Sequence, residues 1–597
     1  MSGKTVLLDN IKQLFDWFEY TVFAASLVLS MLVGVYFGFI KKSGQDTVEG
    51  YMLGGKQMSL LPVSLSLVAS FISGITLLGI PAEVYVYGTQ VMGVVIGMVA
   101  CGFINSAFFL PVFYKLQLLS LYEYLERRFD RRIRKCVSGM YIFTTLMWVA
   151  LAIYVPALAI NQVTGLSVHM VTPVVSSVCI FYTTVGGLKA VVWTDTLQTV
   201  IMIGALIVIV IVGTLDVGGV SKVFEAASSG DRLEIFNMDS SLTARMTFWS
   251  SSLGYTVFWV YASGTSAAMV QRFISLPTSK LAYQAVFLYV LGCSAFFLAS
   301  AYVGLLMYTK YQSCDPVKVG IAKKPEQITP IFVLEAVGHI RGVPGLFISG
   351  VLAAALSTMS TCMNAMAGII YEDFITPCMK STPSDSTSSF YMKWISFLIG
   401  VITVVLVLLV EKLGAVLEIS SMFGGAAAGI IVGVFTMALF VPFANGKGTL
   451  IAFASSTAYM IWTIGGFSYY SKSGIISYKN KGLSVEGCQW NVTTTITDPI
   501  IEEQTDQYIL PIYRLSIFYY SVAAFIIVMV VGLVVSKLTG GRESTTLEKD
   551  LFHPLVHSFL IKREKPPHGA NGYVAIRLKE RNLESPEIHT DKTVTNG

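Results

Sequence analysis

Residues 59–81 read SLLPVSLSLVASFISGITLLGIP, a stretch without one ionisable side chain. A helix crosses a bilayer in roughly 20 predominantly apolar residues, so this one is long enough to span. Pro62, Ser73-Gly74, Gly79 and Pro81 interrupt it. Five spans later comes WSSSLGYTVFWVYASGTSAAMVQRF (249–273), broken around Ser263-Gly264-Thr265. The rest of the chain repeats the apolar theme. About thirteen stretches qualify as spans, near 20–40, 57–82, 90–113, 136–160, 168–187, 194–214, 247–270, 285–308, 346–372, 392–410, 414–441, 449–467 and 515–536. The chain is 54% hydrophobic and only 13% charged, against about 25% charged in soluble domains. Its charges gather in short loops and in the tail. Such a chain suits lipid, where the helix alone satisfies each backbone group within its own segment. The reading is an all-α polytopic membrane protein. The start, MSGKTVLLDNIKQLFDWFEY, is polar and mixed, so no cleavable signal peptide is expected.

Orientation follows from where the basic residues sit. The loop 113–135 carries Lys115, Arg127, Arg128, Arg131, Arg132, Arg134 and Lys135, whereas 83–89 and 161–167 carry no Lys or Arg. By the positive-inside rule the first is cytoplasmic and the others external. The N-terminus is then outside and the basic tail from Lys537 inside. The alternative, an arginine cluster for nucleic acid, is disfavoured by so apolar a chain. The sequon Asn491-Val492-Thr493 falls in loop 468–514, on the side assigned to the exterior. Of eight cysteines, only Cys314 and Cys488 fall in external loops. They are either two free thiols or, as we expect in an oxidising exterior, a disulfide.

Two sets of five spans, 57–214 and 247–441, fit an inverted repeat with broken first and sixth core helices. That architecture places a binding site at mid-membrane, where the broken helices meet. The full division is 1–56 (external N-terminus, first flanking helix and a cytoplasmic loop), 57–214, the external loop 215–246, 247–441 with its external loop 309–345, 442–536 (flanking helices with loop 468–514) and a mostly disordered cytoplasmic tail, 537–597. The span LFISGVLAAALSTMSTCMNAMAGII (346–370) is crowded with small residues and hydroxyls. One explanation is close helix packing through small faces. The other is a cation site in which carbonyls freed by a helix break and two hydroxyls hold a hard monovalent ion. Six histidines, at 169, 339, 553, 557, 568 and 589, form no cluster in the sequence. There is no nucleophile elbow or phosphate loop, so an enzyme is not expected.

Several motifs carry a resemblance. YTTVGGLKAVVWTDTLQTVIM (182–202) is similar to the signature of the sodium/solute symporter family. LPVFYKLQLLSLYEYLERRF (110–129), IYVPALAINQVTG (153–165), LSTMSTCMNAMAG (356–368) and VPFANGKG (441–448) resemble its anion and vitamin branch, which holds sodium-coupled monocarboxylate, iodide and multivitamin transporters. The likeness runs from about residue 20 to 540. It implies a LeuT-like core of ten helices in two inverted repeats, with flanking helices and sodium as the co-transported ion. The family's sodium site falls on the carbonyls of Ala69 and Ile72 and on Ala354, Ser357 and Thr358. Positions 354, 357 and 358 are spaced i, i+3, i+4 and share a helix face. Asp195 matches an acidic residue linked to sodium release, with a capping or interface charge as the alternative.

Family positions lining the solute pocket match Phe71, Thr76, Trp148 and Trp259, each of which would also serve as plain core. Thr76 resembles the monocarboxylate carriers; the iodide carrier has glutamine there. Where those relatives read Tyr-Gly-Val-Asn-Gln, this chain reads Ser263-Gly264-Thr265-Ser266-Ala267, so solute identity is not carried over. No Arg or Lys is expected deep in the broken helices, and Glu418 is the expected membrane acid. Helix N-termini, hydroxyls, aromatic edges or sodium would then meet an anion's charge. The expectation is a plasma-membrane, sodium-driven symporter importing a small organic anion, monocarboxylate- or vitamin-like. The rivals are a sodium-dependent channel or ligand sensor on the same scaffold, or a symporter of an inorganic anion or neutral solute.

Overall fold

The computed structural model describes residues 15–41, 47–381, 383–410, 414–478, 480–488, 509–541 and 548–559. Among these there is no strand, and the membrane helices follow the apolar stretches. Helix α1 (Trp17–Val35) flanks the core. The stretch around Ser73 splits into α2 (Leu60–Phe71) and α3 (Gly74–Tyr87), which meet at a bend of 55°. Then come α4 (Gly93–Ile104), α5 (Arg131–Thr164) and α6 (Val168–Asp216). The second repeat begins with α7 (Tyr255–Val260) and α8 (Ala267–Ile274), joined through a π-helical turn at Tyr261–Thr265. It continues as α9 (Ser279–Tyr311), α10 (Val343–Ile369), α11 (Asp385–Val410) and α12 (Gly414–Phe440). Among the described residues two flanking helices follow, α13 (Gly446–Lys472) and α14 (Tyr520–Leu538).

Ten described helices are individually long and apolar enough to cross a membrane, eleven with α2–α3 taken as one broken span. The higher sequence count has a physical source. The expected spans 168–187 and 194–214 both lie in α6, whose 49 residues would extend about 74 Å at 1.5 Å per residue, far beyond a hydrocarbon core of about 30 Å. Gly187 interrupts α6 with φ 53° and ψ −157°, a conformation only glycine adopts readily. The span expected at 247–270 is assembled from α7, α8 and π-helical turns, so no single piece of it has spanning length.

Both breaks are local consequences of sequence. After Phe71 the backbone turns extended at Ile72 (φ −76°, ψ 99°) and Ser73 (φ −97°, ψ 171°), and the helix restarts at Gly74. A side chain on Gly74 would put its Cβ 2.3 Å from Pro156 Cγ, so only glycine lets α5 approach the break. At the second break Ser266 is extended (φ −82°, ψ 124°) before α8. Helix α10 lies along α6 and also meets α2 and α5, while α12, α13 and α14 pack together beside them. Two other contacts brace the bundle. Glu19 of α1, only 2% exposed, accepts hydrogen bonds from the N–H groups of Gly342 (2.7 Å) and Gly345 (2.5 Å), so its carboxylate caps the start of α10. Cys314 and Cys488 form a disulfide, Cα–Cα 5.0 Å, tying residues 480–488 to the loop after α9.

Part of the tail expected to be mostly disordered lies against the core. Tyr124 Oη donates to Leu551 O (2.9 Å), Lys115 pairs with Asp550 (2.7 Å), and His553 is buried against Phe108 and Phe440. Asn491 lies outside the described residues, as does the side chain of Glu418 within α12.

Candidate functional site

The break between α2 and α3 leaves carbonyls at the end of α2 without helical partners, and α10 supplies hydroxyls directly opposite. Ser357 Oγ donates to Ala69 O at 2.7 Å, and Thr358 Oγ1 approaches Ser70 O at 3.3 Å. Both hydroxyls also reach back to Ala354 O, at 3.1 and 2.9 Å. The spacing on α10 puts Ala354, Ser357 and Thr358 on the face that meets the break. Ala69, Ile72, Ala354 and Ser357 are fully buried and Thr358 is 1% exposed. Carbonyl and hydroxyl oxygens gathered around a break, with no nitrogen or sulfur donor among them, are the kind a hard monovalent cation takes.

A second buried group sits one turn further along α10. Asp195 of α6 is fully buried and accepts from Ser66 Oγ (2.7 Å), with Ser70, Ser360 and Thr361 each at 3.4 Å. Its charge is met by Arg272 of α8, also fully buried, whose Nη2 donates to Asp195 Oδ2 at 3.0 Å. Arg272 is also in close contact with Thr361 Oγ1. This corrects the expectation that no arginine lies deep in the broken helices. The apolar span ends at about 270 on hydropathy alone, but α8 runs to Ile274, and an internal carboxylate makes burial of the guanidinium tolerable. The pair joins α2, α6, α8 and α10 in one polar cluster. Asp195 therefore does not cap an exposed helix end.

Beside the break lies a cavity of about 130 Å³. Phe71 and Trp148 line it, together with Thr358. Trp259 does not. It lies behind Phe71, 1% exposed, with the two rings 4.0 Å apart and tilted by 34°. Thr76 is also outside the cavity wall, buried one turn beyond the break with its N–H on Ser73 O (2.9 Å). The wall contains groups that sequence reasoning missed, among them Tyr141, Thr144, Tyr261 and Cys362. Among the described residues no Lys, Arg, Asp or Glu lines it. The missed residues carry no motif of their own; only the way α5, α10 and the π-helical turn after α7 surround one cavity brings them together.

The model of the "Sodium:solute symporter family" matches residues 51–455. The chain belongs to the sodium:solute symporter family. Sodium-coupled monocarboxylate transporter 2 of Mus musculus is 35% identical over 555 residues, covering 92% of this chain and 88% of that relative. Sodium-coupled monocarboxylate transporter 1 of Xenopus laevis is 35% identical, covering 89% and 87%. The human sodium/iodide cotransporter is 32% identical, covering 90% and 86%. Among solved structures, a substrate-bound, outward-open Na⁺-coupled sialic acid symporter superposes with a TM-score of 0.72 at 24% identity, covering 88% of this chain and 99% of that one. That likeness carries the LeuT-like inverted-repeat fold. As a member of the sodium:solute symporter family the protein is a multi-pass membrane transporter, not an enzyme, and sodium is its co-transported ion.

Proposed function

We propose that this symporter imports a small organic anion, monocarboxylate- or vitamin-like, across the plasma membrane, with its N-terminus outside and its C-terminus in the cytoplasm. Sodium sits among the carbonyls of Ala69, Ile72 and Ala354 and the hydroxyls of Ser357 and Thr358. The solute occupies the adjoining cavity against Phe71 and Trp148, with Trp259 setting the position of Phe71 and Thr76 acting from behind the break. Asp195 takes part in releasing the ion. The observation that carries this reading is the 2.7 Å contact of Ser357 Oγ with Ala69 O across the break, beside a cavity that Thr358 also lines. Bound sodium draws the end of α2 and α10 together and so shapes the solute's wall. That is how an ion with no charge-paired partner in the cavity couples to a second cargo.

For a neutral solute, one sodium suffices. Moving one charge down a 100 mV potential releases about 2.3 kcal/mol, which concentrates a neutral solute tens-fold. An anion carried with one sodium gains nothing from the potential and depends on the sodium gradient or a second ion. The monocarboxylate transporters among the relatives favour an organic anion, and the iodide cotransporter supplies the inorganic rival. Uptake of labelled lactate, nicotinate, biotin and iodide, with sodium and with sodium replaced by choline, tests the reading. Accumulation of a carboxylate that needs sodium is expected. Sodium-independent uptake, unaffected by Ser357→Ala and Thr358→Ala, would reject it.

A further inference from the structure

The cavity wall is unevenly supplied with hydrogen-bond partners, and this points to where an anion's head is held. Several of its hydroxyls are already satisfied: Ser70 donates to Ser66 O at 2.7 Å, Thr144 to Met140 O at 2.9 Å, and Thr358 to Ala354 O at 2.9 Å. Tyr141 is different. Its phenol, 2% exposed, lies 3.4 Å from Ser266 Oγ and 3.4 Å from the N–H of Ala268, both at the long limit of hydrogen bonding. All three residues line the cavity at the second helix break. The Ala268 N–H donates to Tyr141 Oη, and Tyr141 and Ser266 share one contact between two hydroxyls, so one O–H of that pair is left over. The spare hydrogen is an O–H, in a site with no cationic side chain among the described residues of its wall. A carboxylate, which only accepts, is the group that completes it.

We infer that Tyr141 Oη, Ser266 Oγ and the Ala268 N–H form an inner subsite for the solute's carboxylate, resting on the reading above that the solute is an organic anion. Tyr141 lies two helical turns from Trp148, nearer the basic start of α5. The cavity thus has an aromatic end for the apolar body and a donor end for the charge. Ser266 falls within the segment 263–267 that departs from the relatives' amide-bearing sequence. Ser266 stands where those relatives have Asn, so the donor at this position is a hydroxyl here.

The test uses the full-length protein in proteoliposomes under a sodium gradient, with labelled lactate, nicotinate and biotin as probes. Tyr141→Phe removes one oxygen and keeps the ring; Ser266→Ala removes the other hydroxyl. Each should raise the half-saturation concentration for the transported carboxylate by about tenfold or more, the loss typical of a hydrogen bond to a charged group. The sodium half-saturation and the amount of folded protein should stay unchanged, which a merely structural role for either residue would not allow. If Tyr141→Phe reaches the membrane in reduced amount, Ser266→Ala decides alone. Wild-type half-saturation in both variants would overturn the inner subsite and leave the organic-anion reading intact. Absence of sodium-driven uptake of every carboxylate by the wild type would overturn both.

Discussion

Asp195 and Arg272 offer the sharpest separation of structural from functional roles. Both side chains are fully buried, and the 3.0 Å contact between them is supplemented by Ser66 and Thr361. Breaking such a pair from one side strands an uncompensated charge, which costs on the order of 3–5 kcal/mol, whereas replacing both ends by neutral groups of similar size is often close to neutral. Asp195→Asn alone and Arg272→Met alone should therefore each lower the thermal unfolding midpoint of the purified protein and its yield at the cell surface. The double variant should recover most of both. Transport then decides the second question. If Asp195 assists sodium release, the recovered double variant will bind sodium yet turn over slowly, with a reduced maximal rate per surface molecule. Single variants as stable as the wild type would refute the buried-pair argument. A double variant with wild-type stability and wild-type turnover would show the pair to be a structural clasp and nothing more.

Other perturbations are simpler. Ser357→Ala removes the hydroxyl 2.7 Å from Ala69 O, so the sodium concentration for half-maximal uptake should rise several-fold, and Thr358→Ala should do the same. Glu19→Gln withdraws a carboxylate from two N–H donors at the start of α10; a carboxylate at a partly buried helix start is worth up to about 2 kcal/mol, so a lower unfolding midpoint, with partial recovery in Glu19→Asp, is expected. Gly429→Ala would set a Cβ 1.9 Å from Ser521 O, where α12 meets α14, and should cut the folded yield sharply. Gly465→Ala meets nothing within 4 Å and should be neutral or slightly stabilising, since alanine is the better helix former by about 1 kcal/mol. Fluorescence-detected size exclusion of both glycine variants checks the contrast.

Much of the architecture is written in the order of residues, because lipid imposes a one-dimensional rule. A helix must be apolar over the bilayer's thickness, and only a Gly- or Pro-marked stretch can break there beside a cavity. Hence Ser73-Gly74 marks the first break, Ser263-Gly264-Thr265 lies just before the second, and the i, i+3, i+4 spacing of Ala354, Ser357 and Thr358 announces a shared face. The disulfide Cys314–Cys488 was legible from topology, since these two cysteines alone fall in loops read as external. What tertiary structure decided are relations between residues far apart in the chain. Asp195 and Arg272 are separated by 77 positions, and neither reads as half of an ion pair on its own span. Arg272 looked like the end of an apolar stretch because hydropathy records its charge and not its partner. Thr76 and Trp259 fall outside the cavity wall while Tyr141 and Tyr261 enter it, since the bend at Ile72–Ser73 and the packing of α5 against α10 set which faces turn inward. Periodicity along a helix names its faces. Which face meets a cargo depends on how several helices pack at once, and no single stretch of sequence contains that.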